Sequence, residues 1–216
     1  MFIFAAKLIV IMRKGWLLLI CSFIVSWSYA QDPYGKEGMP AGDLTPKVNI
    51  NGVLYKLYKT THTARIANGN TWDGELNIPE EVAYEGDTYT VDKIEWIAFN
   101  DCTTLTKVRI PKTITEIWIY PWLYDCKNPF AGCTSLECID VDEDNPIMCS
   151  VNGVLFSKDK THLYCYPAGA HDEAYIVPDC VTWIGVDAFA YNPHLVKVTM
   201  PNSVTYISGG IFEGCI

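Results

Sequence analysis

The sequence predicts a mainly-β chain built from tandem repeats, and three observations carry this. The stretches IEWIAFNDCTTLTKVRIPKTITEI (94–117) and IGVDAFAYNPHLVKVTMPNSVTYI (184–207) align end to end without a gap. Phe99 falls on Phe189, Cys102 on Asn192, Leu105 on Leu195, Val108 on Val198, Ile110 on Met200, Pro111 on Pro201 and Ile114 on Val204. Self-similarity at a fixed spacing is the signature of a repeat architecture. Next, NGVLYKLYKTTHTARIANG (51–69) returns as NGVLFSKDKTHLYCYPAG (152–169), each copy alternating apolar and polar residues about a polar turn, the pattern of a β-hairpin. Finally, half of the 216 residues are hydrophobic and 13% are aromatic, enough to bury a sizeable core and too much for a disordered chain.

Taken in order, the chain opens with a basic start, an apolar run from Trp16 to Trp27 and the small-residue end Ser28-Tyr29-Ala30, so residues 1–30 read as a secretory signal cut before Gln31, with Met12 the better start. Residues 31–46, rich in Gly and Pro and without periodicity, form a flexible leader. The first hairpin and its sequel DGELNIPEEV (73–82) make an N-terminal β cap over 47–93, which a stack of repeats needs because its first coil would otherwise expose an apolar face and an open strand edge. VAYEGDTYTVDKI adds a hairpin turning at Glu85-Gly86-Asp87. Repeats occupy 94–216, interrupted by a hairpin insertion at about 145–170. A third copy, PFAGCTSLECIDV (129–141), supplies Phe130, Cys133, Leu136, Ile139 and Val141. A fourth starts at Ile207, supplies Phe212 and Cys215 and stops. The strand of the preceding copy, KVTMP, is therefore expected to have an unpaired edge, covered by repeats of a longer chain, the preferred alternative, or by self-association through this end.

This unit resembles the leucine-rich repeats of BspA-like bacterial surface proteins, in which a short strand ends in proline and the convex side carries an AF..C..L segment. The resemblance covers about three fifths of the chain. It implies a leucine-rich-repeat solenoid, mainly β with short helical or irregular convex segments, in which Val108 and Ile110, Ile139 and Val141, and Val198 and Met200 point inward. It also implies that Cys102, Cys133, Asn192 and Cys215, which share one repeat position, turn into the stack and bond to loop backbone. Asn in place of Cys fits a hydrogen-bonding role and not a nucleophile. These thiols are expected to be free. Any disulfide is expected from Cys138 or Cys180, with Cys126, Cys149 and Cys165 as partners.

The function classes narrow by charge and by motif. The net charge of −9 becomes −12 without Lys7, Arg13 and Lys14, which argues against nucleic acid. His62 and His162 are equivalent positions of the two hairpins, and no HExxH, paired CxxC, phosphate loop or GxSxG elbow occurs, so neither enzyme, cofactor nor metal is expected. Asp140, Asp142 and Asp144 alternate as in calcium loops but lack the glycine and distal glutamate. Two features remain for recognition. One is the outward row of the strands: Asn77, Lys107, Arg109, Cys138, Asp140, Lys197 and Thr199, stacked side by side where the register holds. The other is IWIYPWLYDCKNP (117–129), where Trp118, Tyr120, Trp122 and Tyr124 alternate as an aromatic row. The reading is a secreted, non-enzymatic binding module for an extracellular protein, acting in adhesion at the cell surface or in the periplasm, with no membrane span after signal cleavage. The alternative is a glycan-binding module that uses the aromatic insertion.

Overall fold

In a computed structural model of the chain, residues 8–13, 16–18, 45–117 and 128–215 are described. They are strands and turns; the irregular alternative, and not the helical one, holds between the strands, and none of the described residues lies in a helix long and apolar enough to cross a membrane. The N-terminal unit is β3 (Val48–Ile50), β4 (Val53–Tyr58) and β5 (Thr63–Ile66), an antiparallel meander. It has one strand more than the hairpin read from the sequence. Asn51-Gly52 makes the first turn with φ of 52° and 92°, the pair of positive values that joins twisted antiparallel strands tightly. Then follow β6 (Gly74–Asn77), β7 (Glu81–Tyr84) and β8 (Asp87–Ile94), the last two a hairpin turning at Glu85-Gly86.

The first full coil holds β9 (Leu105–Ile110) and the two-residue β10 (Glu116–Ile117). Pro111, which has no N–H to offer a ladder, stands between them. The next coil contributes β11 (Cys138–Val141), and a second meander follows as β12 (Met148–Val151), β13 (Val154–Ser157) and β14 (His162–Cys165). The last coils are β15 (Ala174–Ile176) with β16 (Trp183–Ile184), and β17 (Lys197–Met200) with β18 (Tyr206–Ile207).

Each coil places one strand in each of two walls. In the first wall β6, β9 and β11 run parallel, with Leu76, Val108 and Ile139 in register and all buried. In the second, β5, β8 and β10 align Ile66, Ile94 and Ile117, and β14, β16 and β18 align Leu163, Ile184 and Ile207. The core fills the space between. Ring stacks cross it from coil to coil, Phe99 on Phe130 at 5.7 Å and Phe189 on Phe212 at 5.6 Å. Val141, expected inward, is only partly buried, because it lies near the end of its strand where the chain leaves for the meander.

The loops between walls lack ladder partners, and the repeated Cys or Asn supplies them. Cys133 Sγ donates to the Phe99 carbonyl at 3.0 Å, Cys215 Sγ to that of Phe189 at 3.1 Å, and Cys102 Sγ to that of Trp72 at 3.3 Å. Asn192 does more. Its Nδ2 donates to the carbonyls of Pro167 and Ala170, while its Oδ1 accepts from the N–H groups of His194 and Leu195. Asn145 repeats this with Pro111, Ile114, Ile147 and Met148, and Asn70 with Ala67, Ala98 and Leu54; the sequence reading had assigned neither. Cys102 and Cys133 are buried, whereas Cys215, in the last coil, is half-buried. All seven described cysteines are free thiols.

The expected open edge of β17 is occupied. β1 (Leu8–Arg13) pairs antiparallel with it, Leu8 opposite Met200 and Ile11 opposite Lys197, and β2 (Trp16–Leu18) folds back on β1. The segment read as an export signal supplies this strand, so cleavage before Gln31 would take it from the edge of β17.

Two outcomes are expected. Asn192→Ala leaves four backbone groups without their side-chain partner, at about 1–3 kcal/mol for each that stays unsatisfied, whereas Cys133→Ala loses one weak donor and little volume, at about 1 kcal/mol; denaturant midpoints are expected to fall further for the first. Removing residues 1–30 is expected to free the edge of β17 and make the chain self-associate in sedimentation velocity; a monomer at high concentration would contradict this.

Candidate functional site

The outward positions of the first wall are set by the register of three parallel strands. Glu75, Lys107 and Cys138 form one row, and Asn77, Arg109 and Asp140 the next. Because Leu76, Val108 and Ile139 are locked in the core, alternation fixes their neighbours on the solvent side. The Arg109 side chain is 58% exposed and reaches Asp142 Oδ2 at 3.9 Å. Asp142 Oδ1 also accepts the N–H of Asp144 at 3.0 Å, so this acidic loop is tied to its own backbone and to Arg109. Among the described residues no group of three His, Cys, Asp or Glu side chains is placed to hold a metal ion.

Lys197 and Thr199 do not continue these rows. They sit on β17, opposite Ala174 and Ile176 of β15, in a sheet separate from β6, β9 and β11. The second meander causes the break. Its Asn152-Gly153 turn, with φ of 51° and 80°, lies against β11, and a Cβ at Gly153 would meet Cys138 Sγ at 3.2 Å. The Gly153 carbonyl takes the Ile139 N–H at 2.9 Å, so β15 cannot pair there.

Where the sheet is interrupted a cleft of about 330 Å³ opens, lined among others by Glu137, Asn152, Tyr166, His171, Asp172 and Tyr175. Tyr166 donates its hydroxyl to Asp172 Oδ2 at 3.0 Å, and burial, with that carboxylate second, pushes its pKa up. Tyr175 is pushed up to about 12, mainly by burial. His171 packs against His194 with ring centroids 4.5 Å apart and planes tilted by 52°, and stands 3.7 Å from Glu137 Oε1. Both phenols stay protonated at neutral pH, so the cleft offers rings, a hydroxyl and carboxylates as binding groups and no activated nucleophile.

Trp118, Tyr120, Trp122 and Tyr124 lie outside the described residues. A different aromatic row appears on the second wall: His162, Trp183 and Tyr206 are register partners on β14, β16 and β18. Ring centroids are 5.2 Å apart for the first pair and 6.3 Å for the second, with Trp183 and Tyr206 within 13° of parallel. The matching positions earlier in the same wall are Arg65, Lys93 and Glu116, of which Lys93 and Glu116 pair at 2.7 Å. The sequence signal was available, since Trp183 and Tyr206 immediately precede the equivalent isoleucines Ile184 and Ile207. Burial raises the pKa of Cys102, Cys138, Cys149 and Cys215, and that of Cys165 to about 12, so these five thiols stay protonated at neutral pH.

Comparison with solved structures finds the same architecture. A leucine-rich repeat protein from Eubacterium ventriosum superposes with a TM-score of 0.50 at 17% identity, covering 76% of this chain and 62% of that protein; the chain thus spans less than two thirds of its length. A leucine-rich repeat protein from Bacteroides ovatus is 23% identical with a TM-score of 0.45, over 78% of this chain and 45% of the other. The pneumococcal vaccine antigen PcpA is 16% identical with a TM-score of 0.42, over 78% and 68%. Among curated proteins no sequence matches. The sequence itself matches the family described as the BspA type leucine rich repeat region, in six copies, over residues 87–158 and 164–216. Those two stretches make up more than half of the chain, which therefore belongs to the BspA-type leucine-rich-repeat family.

Proposed function

We propose that the chain is an exported, non-enzymatic module that binds an extracellular protein through the outward rows of its first wall, in adhesion at the cell surface. The observation that carries the reading is the register of Glu75, Lys107 and Cys138 beside Asn77, Arg109 and Asp140. Here charges of both signs stand at fixed spacing on strands whose other face is locked in the core. Such a surface costs little ordering on binding, and arginine, exposed at its centre, is with tryptophan and tyrosine one of the residue types enriched among those that dominate protein interfaces. Membership in a family of repeat proteins typical of the cell surface supports the location, and the raised pKa values of Tyr166 and Tyr175, which keep both phenols protonated, support binding over catalysis in the cleft.

Glycan binding is the second reading, and the row of His162, Trp183 and Tyr206 on the second wall is the observation that favours it over an unspecified ligand. The two readings use opposite walls. Binding of the purified chain to immobilised extracellular matrix and plasma proteins is expected to weaken at least tenfold in Lys107→Glu/Arg109→Glu and to survive Trp183→Ala. The reverse pattern on a glycan array would replace the first reading by the second. The double variant sets Glu opposite Glu75 and Asp140 on the neighbouring strands, so its thermal midpoint is measured beside its binding, and Lys107→Ala/Arg109→Ala, which brings no like charges together, separates lost contact from lost fold.

A further inference from the structure

The histidine in the aromatic row of the second wall has its proton assigned by its neighbours. Ser157 donates its hydroxyl to Asp159 Oδ1 at 2.6 Å, and the N–H and hydroxyl of Thr161 donate to the same oxygen at 3.0 and 2.8 Å. These bonds, the Ser157 one first, hold the Asp159 carboxyl down at about 2, so at neutral pH it is an anion that can only accept. The Thr161 hydroxyl also lies 2.8 Å from His162 Nδ1. A hydroxyl has a single proton to give, and Asp159 takes it. The reverse arrangement would set a lone pair of Thr161 against a carboxylate oxygen 2.8 Å away. Thr161 therefore accepts from His162, and the neutral ring carries its proton on Nδ1.

The consequence falls on the other ring nitrogen. In this tautomer Nε2 has a bare lone pair, and among the described residues Thr161 is the ring's one hydrogen-bond partner. The residue is held at both ends of its side: its N–H donates to Ser157 Oγ at 3.0 Å, and Leu163 beside it is buried in register with Ile184. His162 is half-buried, Trp183 stands 5.2 Å away and Tyr206, 6.3 Å further on, is exposed. The matching positions earlier in the wall hold Arg65, Lys93 and Glu116. Charge is thus presented in the N-terminal half, and rings with a neutral acceptor in this one. Rings cover the apolar C–H face of a sugar, and an acceptor fixed before binding takes a hydrogen bond without a cost in reordering.

We propose that His162 Nε2 is the fixed acceptor of a glycan subsite on the second wall, taking a hydrogen bond from a sugar hydroxyl or an N-acetyl amide while Trp183 and Tyr206 cover the sugar. Thr161 and Asp159 are positioning residues, which act through the ring of His162. The proposal rests on the glycan reading of this wall and leaves the first wall to its own partner.

The test joins a spectrum to a binding curve on the full-length chain carrying isotope-labelled histidine. In mildly alkaline solution, where imidazoles are neutral, the His162 nitrogen signals, identified by their loss in His162→Phe, are expected to show a protonated Nδ1 and a bare Nε2. Thr161→Val is expected to lose that preference and Thr161→Ser to keep it. Cellotetraose and chitotetraose, which carry a hydroxyl and an N-acetyl amide at the same ring position, are the binding probes. At least one is expected to bind, about fivefold or more weaker in Thr161→Val and within about twofold of wild type in Thr161→Ser. Binding of either probe alone names the donor. A proton on Nε2 in the wild type overturns the proposal whatever binds, and this spectrum decides even where a variant does not fold. Binding lost in Trp183→Ala and unchanged in Thr161→Val overturns it and leaves the glycan reading standing. An Nδ1 proton in a chain that binds neither probe removes the subsite and the glycan reading together.

Discussion

A coil that crosses between two walls must cross without ladder hydrogen bonds, and every such crossing leaves backbone carbonyls and N–H groups facing a dry interior. An unmet buried group costs about 1–3 kcal/mol, so a stack of coils is stable only where each crossing has an internal partner. Cys102, Cys133, Asn192 and Cys215 are that partner in four coils, and Asn70 and Asn145 do the same where a meander meets a coil. A thiol serves one carbonyl and fits close-packed loops; an amide serves several groups and stands where the loop is wider. The strands, the phenylalanine stacks and the register of the outward rows all follow from coils held at this spacing.

The two meanders show one sequence unit solving two packing problems. In the N-terminal copy, Lys56 of β4 is partly exposed and pairs with Glu95 at 2.7 Å. The equivalent residue of the second copy is Ser157, and all four residues of β13 are buried. Leu155 faces the core of the preceding coils while Val154 and Phe156 face that of the following ones. This unit interrupts the first wall, so it creates the cleft and separates Lys197 and Thr199 from Lys107, Arg109 and Asp140.

Much of the fold was legible because the repeat is written in large side chains: Phe99, Phe130, Phe189 and Phe212 occupy the positions their alignment implied. What escaped is what periodicity cannot carry. β10, β16 and β18 have two residues each, too few to show alternation, and they came into view only as partners of longer neighbours. The opening strands of both meanders precede an Asn-Gly pair, a hairpin signal strong enough to have been used. The antiparallel docking of β1 on β17 joins residues almost two hundred apart and leaves no local mark. Among the candidate residues, the shared outward placement of Lys107, Arg109 and Asp140 was legible from alternation within strands. The break before Lys197 depends on where an inserted turn lands, which no strand pattern records.

A unit that closes the start of a stack in one copy and is packed from both sides in the other is also a splice point for evolution. The two copies lie about 100 residues apart, and each carries the same NGVL, an Asn-Gly turn followed by the first two residues of its middle strand. Recombination between them in the gene would delete or duplicate a whole block of coils while keeping a meander at the junction. Lineages could then change the length of the binding wall by whole coils, with each product still built from complete folding units.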